Sequence, residues 1–94
     1  MNPHTFTAAV TRLSHCKLGL KEATVLLNIA TGYDTNKTLV EKIEADMTHI
    51  LSRTGILKRK GLIKPEWTVG GRMHHVLTTR GANLVKRVLT TSEP

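Results

Sequence analysis

Apolar residues recur at steps of three and four along most of the chain. The period gives way once, between residues 62 and 78, to short runs bounded by glycine and proline. From about Thr5 to Cys16, Phe6, Val10 and Leu13 fall at i, i+4 and i+7 with Ala9 beside them, which predicts an amphipathic helix. Pro3 sits where a first helical turn tolerates it, and Leu18-Gly19-Leu20 interrupts the pattern. A second helix is predicted over Lys21 to Thr31, where Ala23, Leu26, Leu27 and Ala30 form a stripe that Val25 and Ile29 widen. A stripe this broad marks a central helix, and Gly32 is its natural stop. Tyr33-Asp34-Thr35-Asn36 reads as a polar turn, with Thr35 or Asn36 suited to cap the next helix.

A short third helix, about Lys37 to Ala45, buries Leu39, Val40 and Ile43. Asp46 is a good cap for a fourth, starting at Met47 and ending at Gly61. Its pattern puts Met47, Ile50, Leu51, Thr54 and Leu57 on one side, and Thr48, His49, Ser52, Arg53, Ile56 and Arg59 on the other. Gly55 lies inside it at a cost of about 1 kcal/mol relative to alanine. The stretches Leu62 to Val69 and Arg72 to Thr78 flank Gly70-Gly71 and read as a β-hairpin, with Pro65 on an exposed edge or at the strand's start. A strict two-residue loop there pairs Trp67 with His74, and a bulge near the glycines changes that register. Thr78 or Thr79 caps a last helix from Arg80 to about Leu89, with Ala82, Val85, Val88 and Leu89 as its stripe; the tail from Thr90 is expected to fray.

The expected organisation is one domain over residues 1–94. It comprises an N-terminal helix (1–18), a three-helix core with a helix-turn-helix (20–61), a hairpin (62–78) and a C-terminal helix (80–90). The fold class this order predicts is mainly α with a β-hairpin wing, a winged helix-turn-helix.

Charge sharpens this picture. Residues 1–52 hold five basic and five acidic side chains, whereas residues 53–94 hold nine basic and two acidic, so the formal net charge of +7 sits in the second half. A concentrated basic surface attracts a polyanion and releases its counterions, which makes nucleic acid the leading partner; a solvated basic face that aids solubility is the equal alternative on charge alone. Aromatics are 3% of the chain, too few for a single-strand binder built on stacked bases. One cysteine, Cys16, excludes an intramolecular disulfide and a multi-cysteine zinc site. No apolar run approaches the ~18 residues of a membrane span, and no secretory signal pattern opens the chain, so a cytoplasmic protein is expected, in a prokaryote or in a host cell if the chain is viral. His74-His75, His15-Cys16 and His4 invite a metal reading, but adjacent strand residues point to opposite faces and adjacent helix residues diverge, so no metal or other cofactor is expected. No phosphate loop, carboxylate pair or nucleophile motif is present, and no enzymatic role is expected.

Leu18 to Ala30, Thr38 to Leu57 with Lys60-Gly61-Leu62-Ile63, and Val76 to Gly81 are three stretches that together resemble the MarR family of bacterial winged-helix transcriptional regulators. Leu18 to Ala30 looks like the helix before that family's DNA-binding motif. Thr38 to Leu57, closing on Lys60-Gly61-Leu62-Ile63, is similar to its helix-turn-helix. Val76-Leu77-Thr78-Thr79-Arg80-Gly81 resembles the join between its wing and following helix. The chain departs from the family in having Leu51 where serine is common, Ser52 where arginine is common, and Gly70-Gly71-Arg72 in place of an acidic-then-arginine pair. The resemblance implies binding to double-stranded DNA and dimerisation through terminal helices.

On this reading the fourth helix enters the major groove, where arginine bonds guanine O6 and N7, and the hairpin tip reaches a phosphate or the minor groove. The candidate contacts are Thr48, His49, Ser52, Arg53, Arg59, Lys60 and Arg72. Lys58, Arg59 and Lys60 also suit the negative end of the helix dipole. The expected function is a small sequence-specific transcriptional regulator acting as a homodimer, its partner surfaces being the stripes Phe6, Val10, Leu13 and Val85, Val88, Leu89. The alternatives are a winged-helix protein-interaction module and a replication or partition protein of a mobile element.

Overall fold

The computed structural model describes residues 3–14 and 18–90. In order these form α1 (Pro3–Ser14), α2 (Leu20–Ala30), α3 (Asn36–Ile43), α4 (Met47–Arg59), β1 (Ile63–Trp67), β2 (Met73–Leu77) and α5 (Thr79–Thr90). The chain is therefore mainly helical, with one antiparallel two-stranded hairpin, in the order its hydrophobic period predicts. Of the tail expected to fray, Thr90 closes α5 and residues 91–94 lie outside the described residues, as do His15 and Cys16. No helix among the described residues is long and apolar enough to cross a membrane.

One apolar cluster draws on every helix and on β1. Ala23, Leu26 and Leu27 of α2 lie at its centre, fully excluded from solvent, with Leu39, Ile50, Leu57, Ile63, Val85 and Val88 around them. Two of the polar groups this burial traps are bonded locally: Asn28 Nδ2 donates to the Thr24 carbonyl (2.8 Å) and Thr54 Oγ1 to the Ile50 carbonyl (3.0 Å). The terminal helices contribute to the same cluster through Ala9, Val10, Val85 and Val88, and Phe6 packs on its edge. Of the stripes expected to meet a second copy, Val10, Val85 and Val88 are buried within the chain, where α1 and α5 pack on each other and on α2. The side chains of Leu13 and Leu89 are outside the described set.

The helix ends follow their sequence signals at Thr35 and Gly61 and depart from them at the end of α3 and the start of α4. Thr35 caps α3 reciprocally with Thr38: the Thr38 amide donates to Thr35 Oγ1 (3.1 Å), and the Thr35 amide donates to Thr38 Oγ1 (3.2 Å). Helix α3 stops two residues earlier than expected because Glu44 takes the left-handed conformation (φ 58°, ψ 46°). Asp46 occupies the cap position of α4, but only its backbone carbonyl takes part, accepting from the Ile50 amide at 3.1 Å. At the far end Gly61, at φ 72°, lets its own amide bond the Lys58 carbonyl (2.9 Å) and the Leu62 amide bond the Leu57 carbonyl (3.0 Å). This double bond pattern is why the chain leaves α4 there.

The hairpin register differs from that of a two-residue loop. Trp67 faces Met73, Pro65 faces His75 and Ile63 faces Leu77, so these six share one face. Three residues, Val69 to Gly71, form the loop: the Thr68 amide donates to the Arg72 carbonyl (2.8 Å), and Gly71 sits at φ 79°. The His75 amide turns away from β1 and donates to the Asp34 carbonyl (2.6 Å). Pro65, directly opposite, is therefore at a non-hydrogen-bonded position of an outer strand, where its missing N–H removes no ladder bond.

Candidate nucleic-acid interface

Helices α3 and α4 meet through a three-residue turn, and α4 packs against both α2 and α3. Ile50, Thr54 and Leu57 are its buried side. Met47 (45% exposed) and Leu51 (52% exposed) are not part of it, contrary to the pattern-based assignment. At 100° per residue Leu51 lies a quarter-turn or more from both Ile50 and Leu57, and α2 and α3 cover only the arc centred on those two. The outward stripe runs Thr48, Ser52, Gly55 and Arg59, at steps of four, three and four. Thr48, Ser52 and Arg59 are exposed, and a side chain at Gly55 would meet nothing nearer than the Arg59 guanidinium at 3.8 Å. This face, about 16 Å long at 1.5 Å per residue, is bordered by Leu51 on one side and the half-buried Ile56 on the other.

His49 and Arg53 stand apart from that stripe. They line a pocket of about 240 Å³ together with Leu20, Val25 and Ile43 on the α2 flank of α4. His49 is exposed at its rim. Arg53 is not outward-facing as the pattern suggested: its side chain is 25% exposed, its Nε is buried without a hydrogen-bond partner, and its guanidinium lies 3.8 Å from Glu22 Oε2. The Glu22 carboxylate of α2 faces this side chain at a distance too long for a hydrogen bond.

Lys60, the C-cap of α4, and Arg59, at the end of the stripe, line an open groove of about 1000 Å³ with Arg80, Asn83 and Arg87 of α5. The first two are among the contacts expected from the sequence; the three from α5 are not. Their signal was present: residues 80, 83 and 87 recur at steps of three and four, on the side of α5 opposite Val85 and Val88. The groove exists because α5 starts against the end of α4. Thr78 Oγ1 donates to the Gly61 carbonyl (2.6 Å) and accepts from the Gly81 amide (3.0 Å), so one hydroxyl closes α4 and opens α5.

The hairpin presents Arg72 exposed at its loop, its amide donating to Thr68 Oγ1 (3.2 Å). Trp67 (67% exposed) and the fully exposed Val69 stand beside it, apolar side chains that are not among the expected contacts. At its base the hairpin is held by two histidines. His75 is buried, and its Nε2 donates to Asn36 Oδ1 (2.7 Å), while His74 Nδ1 lies 3.3 Å from Asp34 Oδ2. Burial holds the His75 imidazole below its ordinary pKa, and nearby Lys58 pushes it the same way against the smaller opposing pull of Asp34. Among the described residues no three His, Cys, Asp or Glu side chains stand close enough to share an ion.

Compared with protein-family models, curated proteins and solved structures, the chain matches none of them.

Proposed function

We propose that the chain is a winged helix-turn-helix protein of MarR-like type that binds double-stranded DNA and serves as a small transcriptional regulator in the cytoplasm. Helix α4 enters the major groove, and the hairpin is the wing. The observation that carries this reading is the outward stripe of exposed Thr48, Ser52 and Arg59 with Gly55 among them, turned outward by the packing of α4 on α2 and α3. Thr and Ser hydroxyls bond base edges or phosphates, arginine bonds guanine, and a glycine in the middle of the stripe lets a groove wall approach the backbone. The basic surplus of residues 53–94 supplies affinity through counterion release. Arg72 on the hairpin loop contacts phosphate or the minor groove. No enzymatic step is part of this reading.

A homodimer on a palindromic site belongs to the same reading, with two α4 helices set about 34 Å apart. The terminal stripes no longer argue for it, since the chain buries Val10, Val85 and Val88 itself. Selection of bound sequences from random duplex DNA tests the function and the symmetry together. Enrichment of a defined site is expected, and inverted repeats at one-turn spacing would establish the pair. Recovery of unenriched DNA at low salt, with no site emerging, would overturn the regulator reading.

A protein-interaction module is the second reading, favoured by Met47 and Leu51 exposed on α4 with Leu20 (64% exposed) on the neighbouring α2. It is separated from the first by salt: DNA binding weakens steeply as salt rises, and apolar docking does not.

A further inference from the structure

We propose that the groove between the end of α4 and the outer face of α5 seats sugar-phosphate backbone of the same duplex that α4 reads, making α5 a third DNA-contact surface. This inference rests on the DNA-binding reading above and enlarges its footprint.

Four observations carry it. The groove is lined by four cations, Arg59, Lys60, Arg80 and Arg87, and by no carboxylate. Arg59 and Arg80 form no ion pair within the described residues, and the first turn of α5 contains no acidic side chain, so among those residues the charge of these two is uncompensated. The groove is continuous with the outward stripe of α4 through Arg59, which belongs to both, so a strand leaving the α4 contact enters it directly. Finally, of the three leucines that line it, Leu18 and Leu62 are each only 4% exposed and Leu84 is half-buried. Of these leucines only Leu84 offers surface to an apolar peptide, whereas a phosphate backbone needs none. The cations on α5 span about 10 Å from Arg80 to Arg87, or roughly three base pairs of duplex at 3.4 Å each.

The test compares wild type with the Arg80→Ala/Arg87→Ala double variant, using fluorescence anisotropy on a 24-base-pair duplex of mixed sequence over a range of potassium chloride. Arg80→Ala alone and Arg80→Lys accompany it, and a thermal melt of each checks that the fold persists. The expected result is a roughly tenfold loss of affinity in the double variant and a slope of log K against log salt shallower by about 1.8, the value of two phosphates. Arg80→Ala alone shows about half of that change, and Arg80→Lys retains the wild-type slope. Wild-type binding with unchanged affinity and slope in the double variant would overturn the inference and leave the DNA reading standing. An affinity loss without a slope change would do the same. Polyglutamate binding that the double variant abolishes, with duplex binding untouched, would reassign the groove to an acidic protein. Failure of wild type to bind the duplex at low salt would overturn the DNA reading and this inference together.

Discussion

The backbone at Gly81 rests on Leu62: a Cβ there would collide with the Leu62 carbonyl oxygen and carbon. Together with Thr78, which joins the Gly61 carbonyl to the Gly81 amide, this contact clamps the end of α4, the start of β1 and the first turn of α5 into one unit. Gly81→Ala forces that clamp apart. The expected cost is about 1–3 kcal/mol, in the range of overpacked cores. Urea unfolding should show a lower midpoint with an unchanged slope; an unaltered midpoint would mean that α5 shifts without penalty.

Gly55 has the opposite character. The fold does not use its lack of a side chain, since the site is open apart from the Arg59 guanidinium at 3.8 Å. Gly55→Ala should therefore raise stability by about 0.5–1 kcal/mol through helix propensity. If a groove wall approaches α4 there, the same change weakens duplex binding. Melting temperature and duplex affinity are thus expected to move in opposite directions, and a variant that is both more stable and equally tight would take this face off the DNA.

The two arginines of α4 should separate by phenotype. Arg59 stands on the outward stripe, and Arg59→Ala is expected to lose about 1–3 kcal/mol of binding to the selected site. Arg53 lies on the α2 flank near Glu22, so Arg53→Ala should change stability by less than about 1 kcal/mol, as for other partly exposed pairs, with a smaller effect on binding. Titration of both variants against the selected duplex checks the order, and a larger binding loss at Arg53 would reverse it.

His75 predicts a pH dependence. Its folded pKa is lowered by burial from 6.5, so the unfolded chain binds the proton more readily. Stability from this residue is fully present above about pH 6.5 and is lost as pH falls below it toward the folded value. In His75→Gln an amide donates to Asn36 Oδ1 and does not titrate. Denaturant unfolding at pH 7, 6 and 5 should show wild type weakening faster than the variant, and parallel curves would mean that His75 is not the group responsible.

Trp67 is the sole tryptophan and is exposed beside the hairpin loop, so its emission reports on that loop alone. Addition of duplex is expected to change its intensity or wavelength, saturating with the affinity measured by anisotropy. Arg72→Ala should reduce the signal and make the salt slope shallower by about 0.9. Saturable binding with no change in Trp67 emission would place the hairpin off the DNA.

How much of this was legible in the chain depends on the range of the interaction. Helix positions followed from local period, and helix ends from single residues such as Thr35, Gly61 and Thr78, because a cap is made within three or four residues of itself. Charge asymmetry was likewise open to inspection, being a property of composition. The facing of α4 was not: its apolar residues form two overlapping arcs, and only the position of α2 and α3 selects Ile50 and Leu57 over Met47 and Leu51. Arg53 lies beside Glu22, and Arg80 shares a groove with Arg59, through packing of segments roughly twenty or thirty residues apart, which no local pattern encodes. The hairpin register waited on Gly71 taking a left-handed φ, and on His75 finding Asp34 and Asn36 some forty residues back. The sequence by itself determined which segments are helix or strand and where positive charge accumulates, since both are set by neighbours along the chain. Which faces meet, and which cations share a groove, was decided by the tertiary structure, because packing α2 at the centre fixes the rotation of every helix laid against it.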